Sequence, residues 1–212
     1  MVTYGSLNLT EGASPAATFN EVLSLEAVKK FLNLPERSPI DELEDAELEA
    51  FIIAARDTAE GAQGRDLVPK QYDLSLDCFL SCTIALRDPL VSVDLVRYRD
   101  SAGDYYELEA DVDYIVDTSK HPGVILPAYG RSWPTFTPWP SSAVLVRFTA
   151  GYAADSVFWT AGPGVRIRQG MLLLIGAWFS KRIPFQEGAT PIEELPFGIS
   201  ACLSAGALLK VA

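Results

Sequence analysis

The densest group of titratable side chains is the run Glu42, Glu44, Asp45, Glu47 and Glu49, followed by Asp57 and Glu60. Carboxylates in such number could hold a divalent cation. However, the glycine that an EF-hand loop needs is missing from its position. The competing reading is electrostatic: acids at the start of a helix complement its macrodipole and stay solvated, and this reading is preferred. A second group is Asp111, Asp113 and Asp117 with His121. Paired carboxylates can share acid–base work when suitably separated. Asp111 and Asp113 are two apart, so in a strand they would share one face, and a solvent face of a hairpin is the simpler expectation. His121 precedes Pro122 in a turn, where a histidine is expected to be exposed. A third group is the loop Trp133-Pro134-Thr135-Phe136-Thr137-Pro138-Trp139-Pro140. Its rings could stack on a sugar or a base, pack on the domain's own sheet, or meet a neighbouring subunit.

Nucleophilic and metal chemistry have little to draw on. The chain has one His, which leaves little room for a His-based metal site or a Ser-His or Cys-His pair. Its three cysteines, Cys78, Cys82 and Cys202, do not form a zinc pattern, and an odd count does not read as a disulfide framework. No phosphate-binding glycine loop, HExxH, CxxC pair or GxSxG occurs. Catalysis is not expected, and no cofactor is called for.

The 212 residues carry 17 Lys+Arg against 28 Asp+Glu, a formal net charge of −11. That sign is wrong for clamping a phosphate backbone, which relies on Lys and Arg to release counterions. The charge is also graded. Residues 1–64 hold 12 acids and 4 bases, residues 65–162 hold 13 and 8, and residues 163–212 hold 3 and 5. Hydrophobic residues make up 49%, enough to bury a real core. The longest apolar stretch, near Met171 to Phe179, is far short of the roughly 20 residues a bilayer span needs. The N-terminus has neither a basic nor an apolar signal region, so an intracellular chain with a poorly ordered tail over residues 1–22 is expected.

The elements that must carry these groups fall into three blocks. Ser24 caps a first helix whose apolar positions 25, 28, 31 and 32 form one stripe. A longer helix spans about 42–62, buried through Leu48, Phe51, Ile52, Ala55 and Ala59, with Gly64 placed to end it. The period then changes to two. Gln71–Cys78 alternates polar and apolar, and strands are expected over 90–98, 105–108, 112–116, 123–126 and 142–150, with a hairpin turn at Asp100–Gly103. Helical period returns after Pro163 and continues to Arg182, and a last helix is expected from Pro196 to near Lys210. Helices segregated from strands predict an α+β fold: two N-terminal and two C-terminal helices form a small helical core, with an antiparallel β region (66–152) inserted between helices at 24–64 and 163–210. One domain, residues 23–212, is expected.

An ordered series of local patterns carries a resemblance. It begins with Leu23-Ser24-Leu25-Glu26-Ala27-Val28-Lys29-Lys30-Phe31-Leu32 and continues with Ile53-Ala54-Ala55-Arg56, Glu60 and Gly64-Arg65. Then come Pro89-Leu90-Val91-Ser92-Val93, Tyr114-Ile115-Val116-Asp117, Trp133-Pro134, Ala150-Gly151-Tyr152, Ile167-Arg168-Gln169-Gly170 and Leu195-Pro196. Over about residues 22–208 the chain resembles the phage head–tail connector (adaptor) proteins, in the branch with a β insertion between the helices. It departs from the family at Ala177–Arg182, where members tend to have a Tyr and an Asn before the Arg.

The resemblance implies a structural virion protein at the head–tail junction, made in the host cytoplasm, with no enzymatic activity and no cofactor. It implies a ring homo-oligomer, usually twelve-fold in the virion, that joins a portal protein to a tail-completion or stopper protein and lets double-stranded DNA pass without tight binding. No membrane is involved. Two expectations follow. The acids Glu42, Glu44, Asp45, Glu47, Glu49, Asp57 and Glu60 would form an acidic lumen surface. Trp133, Phe136, Trp139 and Arg182 would meet a neighbouring component. The alternative is a small ligand- or carbohydrate-binding β module built on the aromatic loop.

Overall fold

The computed structural model describes residues 7–9, 21–34, 41–79, 82–180 and 197–207. Its element order is β1 (Leu7–Leu9), α1 (Leu25–Phe31), α2 (Asp41–Gln63), β2 (Lys70–Leu76), β3 (Ile84–Ala85), β4 (Leu90–Arg99), β5 (Tyr105–Leu108), β6 (Tyr114–Asp117), β7 (Val124–Pro127), β8 (Val144–Ala150), α3 (Pro163–Ser180) and α4 (Phe197–Leu203). This is the expected α+β arrangement, with strands between two pairs of helices. The chain divides into two compact units, Met1–Thr18 with Pro69–Tyr152, and Phe19–Val68 with Ala153–Ala212.

The β unit holds a five-stranded antiparallel sheet, β1-β2-β8-β4-β5, and a three-stranded one, β3-β7-β6. The alternation read in the sequence is used literally. In β8, Val144, Val146, Phe148 and Ala150 are buried while Leu145, Arg147 and Thr149 point to the other face. One apolar cluster joins the two sheets: Phe148 and Val96 from the larger sheet, Ile125 and Tyr114 from the smaller. Within the segment expected to be a tail, Leu7–Leu9 pairs antiparallel with β2, in register Leu7 to Leu74 and Leu9 to Tyr72. Pairing a strand edge satisfies backbone groups that a free tail would leave to water.

The helical unit is built on α2 and α3. Ser24 caps α1 by accepting from the Ala27 N–H at 3.2 Å, as its position predicted. Leu48, Ile52, Ala55 and Ala59 of α2 are buried, and Gly64 follows the helix with φ +71°, the left-handed conformation of a helix stop. Pro163 begins α3. Gly170 is there because α4 comes so close: a Cβ on it would lie 2.9 Å from the Cβ of Cys202 and 3.0 Å from Leu203. The last helix, α4, is shorter than expected; it ends at Leu203, and Gly206 (φ +71°) turns the chain. No helix among the described residues is long and apolar enough to cross a membrane.

Candidate interaction surfaces

The aromatic loop packs on its own unit. Trp133 stacks on Phe79 with ring centroids 4.7 Å apart and planes 4° from parallel. Phe136 meets Tyr98 at 4.5 Å and Phe79 at 6.2 Å. Trp139 lies under the Arg99 guanidinium, whose Cζ is 3.8 Å from the ring centroid, and Tyr105 approaches the same cation at 5.1 Å. Arg99 also donates from Nε to the Gly103 carbonyl at 3.1 Å. Trp133, Phe136 and Trp139 thus pack on the unit's own sheet, one of the three readings open at the level of sequence, and each ring stays half-exposed. The rings find partners because β4 and β5 present Tyr98, Arg99 and Tyr105 beside the loop. Arg182 lies outside the described residues.

The outward face of the larger sheet is internally paired as well. Arg147 makes a two-pronged ion pair with Asp73, both N···O distances 2.8 Å, across the β2–β8 register. Desolvation alone would lower the Arg147 pKa, but the hydrogen bond to Asp73, the largest influence, raises it. Asp94 accepts from Gln71 and Ser92, each at 2.9 Å.

The aspartate group differs from its expected form. Asp111 (φ +62°) and Asp113 sit in the turn before β6, not side by side on a strand. The Asp113 carboxylate accepts the Glu109 N–H at 3.1 Å and pairs with Arg131 at 3.1 Å. Short acidic side chains that bond their own backbone favour such turns over strands. Asp117 accepts from the Ser119 hydroxyl at 2.5 Å and from its N–H at 3.0 Å, and these bonds lower its pKa. The Asp113 and Asp117 carboxylates are engaged within their own turns, and the group does not gather to hold a metal ion. His121 does have an exposed ring, yet its Nδ1 lies 2.6 Å from Oδ1 of the buried Asp88. That contact spans two turns far apart in sequence, so local pattern could not show it.

The acids of α2 separate into distinct roles. Glu60 is buried, and its Oε1 accepts the Leu67 N–H at 2.9 Å, fixing the chain after the helix. It therefore does not belong to an exposed acidic face. Asp45 pairs with Lys29 at 2.5 Å, and Asp57 with Arg56 at 3.1 Å. Arg56 also reaches Glu21 at 2.5 Å. Glu47 and Glu49 are exposed. The side chains of Glu42 and Glu44 lie outside the described residues.

Just beyond α2, Gln63 donates from Nε2 to the carbonyls of Leu203 and, at 3.1 Å, Ala205, and Arg65 donates to the Gly206 carbonyl. These buried donors tie the end of α2 to the end of α4. They satisfy the carbonyl of the last helical residue, Leu203, which a helix otherwise leaves open, and two carbonyls of the turn that follows it. Sequence reasoning did not single them out, because their partners stand some 140 positions away.

Among the described residues no group of three or more His, Cys, Asp or Glu is placed to hold a metal ion. The side chains engaged here do structural work: they pin loops to sheets and helix ends to each other.

No protein-family model matches the chain, and no curated protein matches it. Solved structures do. A chain from the neck of an empty gene transfer agent (GTA) particle, computed with C6 symmetry, is 24% identical with a TM-score of 0.68, over 98% of this chain and 97% of that one. A chain from the virion of a native GTA particle is 24% identical with a TM-score of 0.68, over 97% of each chain. A chain from the neck of a native GTA particle computed with C12 symmetry is 22% identical with a TM-score of 0.65, over 98% of this chain and 97% of that one. At these identities the likeness is one of fold, and it runs through both units.

Proposed function

We propose that this chain is a structural component of the neck of a phage-like particle: a head–tail connector that closes into a ring under a portal protein, receives a tail-completion or stopper protein, and lets double-stranded DNA pass through its lumen. The observation that carries the reading is the likeness of fold, over nearly the whole length, to chains from GTA necks. A ring of six- or twelve-fold order fits the symmetries with which those necks were computed. The net charge of −11 supports the conduit role, since an acidic wall repels phosphate and keeps the polymer sliding. The role needs no enzymatic activity and no cofactor. The particle is the place of action, reached from the cytoplasm of the producing cell.

The alternative, a ligand-binding β module, has less to stand on. Its platform would be Trp133 and Trp139, and Phe79 and Arg99 already cover ring faces of both.

Electron microscopy of the purified chain mixed with its portal tests the proposal. Stacked rings with a central channel are expected. A chain that stays monomeric with portal, and binds none, overturns it. In the same preparation double-stranded DNA should not be retained at physiological salt.

A further inference from the structure

The two long helices leave unlike stripes uncovered. On α2, Ala46, Ala50, Ile53, Ala54, Asp57 and Gly61 are exposed and lie opposite the buried Leu48, Ile52, Ala55 and Ala59. At 3.6 residues per turn they form one continuous strip, and all but Ile53 and Asp57 are Ala or Gly. A Cβ placed on Gly61 would meet nothing within 4 Å, so the strip is open there as well as exposed. Asp57, paired with Arg56, lies within the strip, and Glu49 and Glu47 stand at its two borders. A strip of alanine with an exposed isoleucine (45%) is an odd surface to offer water, and a close-approach surface for another helix.

On α3 the exposed strip is Val165, Gln169 and Leu173, with half-buried Leu172 beside it. Val165 is 47% exposed and Leu173 38%. The charged residues at its borders are Arg166 and Arg168. One strip is therefore small-sided with acids both within it and at its rim, and the other large-sided with a basic rim. The graded charge of the sequence becomes a two-sided helical unit.

We infer that the α2 strip of one copy receives the α3 strip of a second copy, with Val165 and Leu173 filling the ground left by Ala50, Ala54 and Gly61, and the Arg166 side facing the Glu49 side. The occupant is another copy of this chain. Size and charge are complementary between the two strips but not within either, so the contact is head-to-tail rather than face-to-face. Repetition of such a contact gives a ring when the rotation per copy closes. The inference rests on the ring proposed above and names the surfaces that build it.

The experiment uses the full chain with and without portal, read by native mass spectrometry and by microscopy. Ala54→Arg and Gly61→Arg place bulk on an open face, so helix content and melting temperature should hold. The concentration for half-assembly should rise at least about tenfold, as for a mis-sized side chain in a packed interface centre. Glu49→Lys alone and Arg166→Glu alone should each weaken assembly, and the combined variant should recover part of it, because reversing both rims restores opposite signs. If the unaltered chain forms no ring under any of these conditions, the connector reading falls and this inference with it. If the unaltered chain forms rings and the folded variants form them equally well, the ring stands and the pairing of these strips is wrong.

Discussion

The β unit and the helical unit treat their conspicuous residues in opposite ways. Although Tyr129 stays fully exposed, the most conspicuous loop and sheet side chains of the β unit are already used: Trp133 on Phe79, Trp139 under Arg99, Arg147 on Asp73, Asp113 on the turn before β6. In the helical unit the plainest residues, Ala50, Ala54 and Gly61 on α2 and Val165 and Leu173 on α3, are the ones left without cover. A conspicuous residue type is thus a poor guide to an interface when the fold can satisfy it internally. An inconspicuous apolar strip held in water is the better guide, because exposure is what still costs free energy.

The sharpest way to break this contrast is to damage each region and compare stability with assembly. Phe148→Ala removes a fully buried ring from the centre of the β core. It should cost about 3–5 kcal/mol in urea unfolding, the usual range for emptying such a site. Ile53→Ala removes an exposed side chain and should change stability by less than about 0.5 kcal/mol. Ring assembly should respond in the reverse sense to that ordering for Ile53→Ala: little lost in folding, much lost in association. A large folding defect from Ile53→Ala would show that α2 is not an open face.

A middle-sized effect should come from the loop. Trp133→Ala deletes a half-buried ring and its stack on Phe79, and should cost about 1–2 kcal/mol, the pair term together with part of the apolar area. Trp139→Ala should cost less, about 1 kcal/mol, since it chiefly frees Arg99. Both losses should be seen in thermal unfolding. The contrast between units further requires that neither change alter ring size or the concentration for half-assembly. If Trp139→Ala abolishes assembly at unchanged stability, the loop faces a partner after all.

Much of this was legible in the sequence, and the gaps have physical causes. The spacing of Leu48, Ile52, Ala55 and Ala59 announces α2, and the alternation in Gln71–Leu76 announces β2, because the periods of 3.6 and 2 are local. The turn at Asp111–Asp113 resembles a strand in sequence because Asp111 and Asp113 flank Val112 at period two; φ at Asp111 and the backbone bond accepted by Asp113 distinguish the two. Strands β1 and β3 are too short to carry a period at all. The sequence of α2 is conspicuous for its acids, but the angle opposite its buried face carries mostly alanines, with Asp57 among them. Counting charges along the chain missed what placing them around the helix reveals. The partner of His121, and the carbonyls held by Gln63 and Arg65, are tertiary facts that no local window contains.

The smallest effect expected is in acid, and it bears on the β unit's habit of satisfying its carboxylates locally. At Asp117 the Ser119 hydroxyl and N–H lower the carboxyl pKa, while slight desolvation opposes them. At Asp100 desolvation is the largest single influence and raises the pKa, but the N–H groups of Asp104 and Ala102 and the Tyr106 hydroxyl outweigh it. A carboxyl whose folded pKa is depressed adds stability above its unfolded value, and that stability is lost as pH falls through the folded value. The window therefore opens below the ordinary aspartate value of 3.8. Both groups lie at the surface, partly covered, so the global melting curve should barely move. Carboxyl-carbon NMR across that window should show Asp100 and Asp117 titrating below 3.8. Titration of both at the ordinary value of 3.8 would mean that these turns are held by backbone geometry alone, and that the internal pairing ascribed to the β unit ends at its sheets.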